Sequence, residues 1–238
     1  MTPKASAIEI VEIGRTEFKV EPWTWDFAAA QRPEIDRFFS ELQKRRSHLW
    51  NGRVLMLRDY NVRDGTLCGS CFETDYASFL AWRDWGFPDP AVFNIFPCSA
   101  LRCADGAFVT GEMAASTAAA GQISFPCGTP DLDDILQGGV LDVARNLRRE
   151  LMEETGLDID EFKTDSGWTL VRDRGFFALM KRVGSRLSAE ALRTRILQNI
   201  ARDAHPEFAA IRILRGPADL DSRMYGYLRA YIEYEWQR

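Results

Sequence analysis

Apolar and polar residues alternate over residues 7–14, with Ile8, Ile10 and Ile13 set against Glu9 and Glu12, and this period of two predicts a strand. Phe18 to Glu21 is a second strand candidate, reached through Gly14-Arg15-Thr16 as a turn. The rhythm then becomes helical. Pro33 suits a first helical turn, and Ile35, Phe38, Phe39 and Leu42 recur at helical spacing as far as Arg46. Leu49-Trp50-Asn51-Gly52 reads as a turn into the apolar strand Val54-Leu55-Met56-Leu57-Arg58. Residues 61–65 turn again, and residues 66–72 pair back. Thr74-Asp75 supplies cap residues for a helix over residues 76–85, which Gly86-Phe87-Pro88-Asp89-Pro90 stops. That stop is the candidate boundary between an N-terminal α+β part, residues 1–90, and a second part, residues 91–238.

Beyond the break, residues 91–104 are mostly apolar, and Asp105-Gly106 turns the chain into residues 107–113, a hairpin. Residues 114–121 form a small-residue linker, and Ile123-Ser124-Phe125 is a short strand that delivers the chain to Gly128. A helix is expected from Asp142, its N-cap, to Thr155, with Val143, Leu147 and Leu151 as its apolar stripe and Gly156 at its C′ position. Residues 169–183 hold a strand around Phe176-Phe177-Ala178-Leu179-Met180. Residues 188–204 are helical, 211–214 a strand and 224–236 a final helix. Strands interleaved with helices, without regular βαβ spacing, predict an α+β sandwich.

Composition narrows the classes of function. Of 238 residues, 46% are hydrophobic and 27% charged, as in an ordinary globular protein rather than a disordered one. A net charge of −5 argues against a general nucleic-acid or anionic-membrane surface. No apolar run approaches the roughly 20 residues that span a bilayer, and Met1-Thr2-Pro3-Lys4-Ala5-Ser6 leads into no signal-peptide core, so the cytoplasm is the expected compartment. Five cysteines, an odd number, fit a reducing compartment better than a disulfide framework. Cys68 and Cys71 with Cys98 and Cys103 would be one conceivable zinc set, but the second pair is too widely spaced, which favours buried or incidental thiols. His48 and His205 are the only histidines, and both are read as structural. Lys44-Arg45-Arg46 is read as solvated charge at the negative end of its helix. There are no internal repeats and no G-x-x-x-x-G-K-[ST], G-x-S-x-G or H-E-x-x-H motif.

One stretch stands out chemically: Arg149-Glu150-Leu151-Met152-Glu153-Glu154-Thr155-Gly156-Leu157. On a helix turning about 100° per residue, its three carboxylates share an arc of roughly 100°. Like charges so close repel by a few tenths of a kcal/mol per pair. A divalent cation such as magnesium would neutralise such a crowd of hard oxygens. A Glu-rich exposed helix face is the plain alternative.

The order Arg-Glu-Leu-x-Glu-Glu-x-Gly-Leu resembles the second half of the box that defines the Nudix hydrolases, which cleave nucleoside diphosphates linked to another moiety. All nine positions match. In the first half, the pattern's glycine and glutamate fall on Ile135 and Leu141, and Phe125-Pro126-Cys127-Gly128 looks like the family's apolar-Pro-Gly-Gly approach, placed early. Residues 129–140, with Asp131, Asp133 and Asp134, then read as a loop insertion whose carboxylates replace the lost glutamate or merely solvate the loop. The resemblance implies a Nudix-like α/β/α sandwich with a mixed sheet, preceded by a smaller N-terminal α+β part. It implies a magnesium enzyme, with manganese as a substitute. Glu153 and Glu154 would be the principal metal ligands, Glu150 a further ligand or the base, and Arg149 the residue that orients a glutamate. The carbonyl of Gly128 would be another ligand, and Glu207, after His205-Pro206, a base outside the box.

The turn Leu49-Trp50-Asn51-Gly52 and the later Glu73-Thr74-Asp75-Tyr76 look like the N-terminal motifs of a Nudix branch containing UDP-sugar pyrophosphatases. On that likeness Asn51, Asp75 and Tyr76 are candidate substrate-binding residues, and the substrate is a nucleoside diphosphate sugar split into a nucleoside monophosphate and a sugar phosphate. A strand-turn-helix that only supports the second half is the alternative for this region. The expected partner is a nucleotide-derived small molecule, with no nucleic acid and no membrane; a homodimer is compatible with it. Another nucleoside diphosphate derivative, or a silent nucleotide-binding module of the same type, are the alternative functions.

Overall fold

A computed structural model describes residues 7–46 and 49–238, so His48 and residues 1–6 lie outside the described residues. The described residues fold into two mixed sheets and six helices, an α+β architecture. It opens with β1 (Glu9–Ile13) and β2 (Arg15–Val20), followed by the short α1 (Asp26–Ala30) and α2 (Arg32–Arg45). β3 (Arg53–Arg63) and β4 (Thr66–Asp75) form a long antiparallel hairpin that runs into α3 (Tyr76–Asp84). β5 (Asn94–Arg102), β6 (Phe108–Met113) and β7 (Ile123–Ser124) come next. Two-residue strands β8 (Ile135–Leu136) and β9 (Val140–Leu141) precede α4 (Val143–Thr155). The remainder is β10 (Lys163–Thr164), the hairpin of β11 (Trp168–Asp173) and β12 (Phe176–Gly184), α5 (Ala189–Ile200), β13 (Phe208–Leu214) and α6 (Gly226–Trp236).

The larger sheet runs β1-β11-β12-β5-β6-β13, with β10 beside β12 and β7 beside β6; only β12 and β5 are parallel. One of its faces packs against α6, where Phe96, Cys98, Ala100, Phe108 and Phe125 meet Tyr227, Leu228, Tyr231 and Ile232. The other face meets α4, α5 and the second sheet, whose order is β3-β4-β2-β9-β8. The larger sheet therefore sits between helical layers, as the sandwich expectation required. A separate apolar cluster fastens α2 and α3 to the hairpin through Ile35, Phe39, Val54, Met56, Phe72, Leu80 and Trp82.

Residues 14–16 are not the turn of a hairpin. β1 pairs with β11 in the larger sheet, whereas β2 pairs with β4 and β9 in the smaller one. A lone Gly14 between the two strands is too short to fold one back on the other, and the backbone N–H groups of Gly14 and Arg15 instead donate to the carbonyl of Gly65 at 2.7 and 3.2 Å. Residues before and after the 86–90 break thus share both sheets. The alternation over residues 169–183 resolves into two strands joined at Arg174, which takes a positive φ of 54°, rather than one.

Candidate active site

α4 forms where the apolar stripe predicted it. Asp142 caps it, accepting from the N–H groups of Ala144 and Arg145, each at 3.0 Å. Gly156 ends it in the left-handed region (φ 66°), a conformation costly for residues with a Cβ. The amide of Asn199 donates to the carbonyls of Thr155 and Gly156 at 3.0 and 3.2 Å, tying α5 to that end. Val143, Leu147 and Leu151 are buried in two cores, so the helix is held from one side while its other side carries charge.

The carboxylates on that side do not share one environment. Glu154 is only 3% exposed and accepts from the backbone N–H of Cys127 at 2.8 Å. Glu150 is 8% exposed and lies so close to Gly128 that a Cβ there would stand 2.3 Å from its carboxyl carbon. Glycine at 128 therefore clears space for a carboxylate. Burial pushes the Glu150 pKa up to about 8, with Glu153 and Glu207 adding repulsion and Arg149 opposing them. Burial likewise holds Glu154 well above the ordinary carboxylate range, with Cys127 and Glu150 contributing. Glu153 faces solvent and pairs with Arg149 at 3.2 Å.

Arg149 is the hub of the cluster. Its guanidinium lies 2.8 Å from Glu150, 3.2 Å from Glu153, 3.0 Å from Asp134 and 3.3 Å from Asp131. Burial opposes its charge, but the surrounding carboxylates raise its pKa. Asp134 has no exposed surface, and its Oδ2 also accepts from the Asn146 side chain at 2.8 Å and the Asp131 N–H at 3.1 Å. The aspartates of residues 129–140 are not alike: Asp133 is exposed, whereas Asp134 is buried against Arg149 and Asn146. Asp131 caps a single turn over Leu132–Asp134, β8 and β9 form a hairpin around Gly138 and Gly139, and Leu141 packs in the core. The segment docks on α4, where Asp131 and Asp134 pair with Arg149. Asp134 carried no sequence signal for that role, since its partners lie 12 and 15 positions away.

A cavity of about 190 Å³ opens beside Glu150 and Glu207. Its aromatic wall joins Tyr76 and Phe79 of α3 to Phe176, Tyr225 and Tyr227, the two tyrosines stacked at 5.6 Å. Arg83 reaches it from α3, donating to the carbonyl of Ala118 at 3.3 Å and to Asp84 at 2.7 Å. Glu207 sits at the cavity's edge, where desolvation and then Glu153 and Asp203 raise its pKa. Tyr76 is the one N-terminal candidate that lines the cavity. Asp75 caps α3, accepting from the Ser78 N–H at 3.0 Å, and pairs with Arg32 at 3.1 Å; Asn51 accepts from the Ala77 N–H at 2.8 Å. Both hold the helix that presents Tyr76, Phe79 and Arg83. A larger groove, about 600 Å³, crosses β2, β3 and β4 and shares no lining residue with this cavity.

The donors fit a hard divalent cation by their chemistry: carboxylates from Glu150, Glu153 and Glu154, and the carbonyl of Gly128. Two buried, mutually repelling carboxylates are the arrangement such a charge relieves. Among the described residues no three His, Cys, Asp or Glu side chains converge closely enough to hold a metal as they stand, since Glu153 leans on Arg149 and Glu154 on the Cys127 N–H. The four conceivable zinc thiols are likewise dispersed, Cys68 and Cys71 on β4 and Cys98 and Cys103 in or beside β5. No described helix is long and apolar enough to cross a membrane.

No protein-family model matches the chain, and no curated protein does. Among solved structures it is similar to a MutT protein from Methanosarcina mazei Go1, at 14% identity over 61% of this chain and 94% of that one, with a TM-score of 0.41. DR0079 from Deinococcus radiodurans is 15% identical over 77% of this chain and 99% of its own, with a TM-score of 0.44. A Nudix hydrolase from M. smegmatis, RenU, is 14% identical over 62% and 88%, with a TM-score of 0.38.

Proposed function

We propose that the protein is a Nudix-type, magnesium-dependent hydrolase that splits the diphosphate of a nucleoside diphosphate joined to another moiety, with a sugar as the favoured moiety. One observation carries the reading: Glu150 and Glu154 are buried on one face of α4, beside a glycine that makes room for a carboxylate and a cavity large enough for a ligand group. A diphosphate is kinetically inert because its negative oxygens repel a nucleophile. Magnesium held there supplies charge neutralisation of those oxygens and acidifies the attacking water.

The residues of the chain divide the remaining work. Glu150, Glu153 and Glu154 with the Gly128 carbonyl would hold the cation. Arg149, fixed by Asp134, keeps Glu150 and Glu153 aimed. Glu150 or Glu207 accepts the proton of the water, each held above its usual pKa by burial and by neighbouring carboxylates. The aromatic wall at Tyr76, Tyr225 and Tyr227 receives a planar or sugar group by stacking and excludes water from it. The sugar reading rests on the N-terminal motif, whose Asn51 and Asp75 act by building the helix under Tyr76.

A panel of nucleoside diphosphate sugars, dinucleoside polyphosphates and other nucleotide derivatives, assayed with magnesium and with manganese, tests the reading. Glu150→Gln and Glu153→Gln are expected to abolish turnover of whichever substrate is cleaved. Undiminished turnover in both would overturn the assignment of α4. A silent nucleotide-binding module is the second reading, favoured by Leu141 lying in the core where the resembling pattern has a glutamate. It predicts that nucleotides raise the melting temperature while no product forms.

A further inference from the structure

We propose that Cys98 and Cys127 are a redox-active dithiol that closes to a disulfide when a small hydroperoxide enters the cavity. The argument begins with the backbone. Cys98 on β5 and Cys127, three residues past β7, oppose each other in an isolated antiparallel bridge. The flanking hydrogen bond runs from the Ser99 N–H to the Pro126 carbonyl at 2.9 Å. A bond from the residue after Cys98 to the residue before Cys127 makes the cysteines a non-hydrogen-bonded pair. In such pairs the Cα atoms stand about 4.5 Å apart and both side chains leave the same face. Disulfides accept Cα separations of about 4.4–6.8 Å, so this is a position where two thiols join without rearranging the strands. Cys98 and Cys127 lie in the same apolar cluster under α6, which places both thiols on that face.

Access is unequal in the way a two-step oxidation needs. Cys127 is half-buried and lines the cavity, with Ser124 Oγ 3.3 Å from its sulfur; Cys98 has no exposed surface. The Cys127 sulfur attacks the terminal oxygen of the hydroperoxide, breaking the O–O bond and forming Cys127–SOH, while the thiol proton passes to the departing oxygen, which leaves as the alcohol. The Cys98 thiol then attacks the sulfenic sulfur, forming the S–S bond and expelling water. Two electrons leave the pair of sulfurs and reduce one O–O bond. A dithiol reductant returns both cysteines to thiols by disulfide exchange and is itself oxidised to a disulfide.

The other thiols offer no such partner. Cys68 and Cys71 are three apart on one strand, so their side chains leave opposite faces, and Cys103 lies in a different core cluster from Cys98. The pair also touches the site: the Cys127 N–H binds Glu154, and Gly128, which clears space for Glu150, is the next residue.

The test treats the reduced full-length chain with hydrogen peroxide and follows thiol content and mass. Free thiols are expected to fall from five to three, with loss of two hydrogens in mass and one cross-linked peptide pair containing Cys98 and Cys127. Dithiothreitol should restore all five. In Cys98→Ala the reaction should stop at a Cys127 sulfenic acid, trapped by a 1,3-diketone reagent, and in Cys127→Ala neither link nor sulfenic acid should form at position 98. A full count of five thiols after treatment, a link joining other cysteines, or direct over-oxidation of Cys127 in the unsubstituted chain would each overturn the proposal.

Discussion

Replacing Gly128 by alanine adds one methyl group at the point where the backbone meets the Glu150 carboxylate. The new Cβ would lie 2.3 Å from both the carboxyl carbon and Oε2, and 2.5 Å from Oε1. Ordinary contact begins near 3.4 Å, so the carboxylate must retreat by about 1 Å. Gly128 does not occupy the positive-φ region, so alanine meets no backbone penalty there. The atoms it would meet are the far end of the flexible Glu150 side chain, which keeps the cost to folding small, within about 1 kcal/mol. Catalysis is less forgiving: a misplacement of about 1 Å in a positioned group costs on the order of 100-fold, or about 2.7 kcal/mol in the barrier. Steady-state turnover of the substrate identified by the panel, compared with a thermal melt of the same preparation, separates the two effects. A Gly128→Ala protein that melts normally and turns over at the wild-type rate would refute the claim that this glycine makes room for a working carboxylate.

Asp134→Ala removes the acceptor of three hydrogen bonds at a fully buried position, and should destabilise the protein by about 3 kcal/mol, seen as a lower urea midpoint; a change below about 0.5 kcal/mol would contradict the role assigned to it. Without metal, Glu150 holds a proton in the folded chain up to about pH 8 but loses it near 4.5 when unfolded. The folded state then binds more protons between those values, so stability falls as pH rises through that window, by roughly 3–5 kcal/mol in total. Urea titrations in EDTA from pH 5 to 8 should show the decline, magnesium should reduce it, and a flat profile in EDTA would count against the buried acid. Gly156→Ala must adopt a φ of 66° and meet Asn199 at 2.7–2.8 Å, so it should cost about 2 kcal/mol or more. Gly121→Ala, at φ 76° with nothing within 4 Å, should lose only the backbone part, about 1 kcal/mol; equal melting temperatures for the two would remove Asn199 from the account.

The helix at the centre of the site was legible because its signals are local. Asp142, the stripe at Val143, Leu147 and Leu151, and Gly156 each act within a turn or two, and all three signals appear where their spacing placed them. The same holds for Asp75 as the cap of α3. What periodicity cannot convey is partner choice across long separations. Alternation marks β1 and β2 as strands, yet nothing in it says that they join different sheets, and a turn through Gly14 was the local default. The three aspartates of residues 129–140 look alike in sequence, while only Asp134 is buried against Asn146 and Arg149. Tyr225 and Tyr227 reach the cavity from the far end of the chain and carry no motif.

The split at Gly14 also sets the order in which the molecule can assemble. Glu9 pairs with Arg172 and Ile13 with Trp168, while two residues later Arg15 pairs with Thr66. β2 can find its partner as soon as the β3–β4 hairpin exists, but β1 must wait for most of the chain to be synthesised. Closing so long a loop is entropically costly and slow, and it leaves an apolar strand unpaired in the meantime. β1 is therefore expected to be among the last strands to dock, open to chaperone capture until β11 has been made.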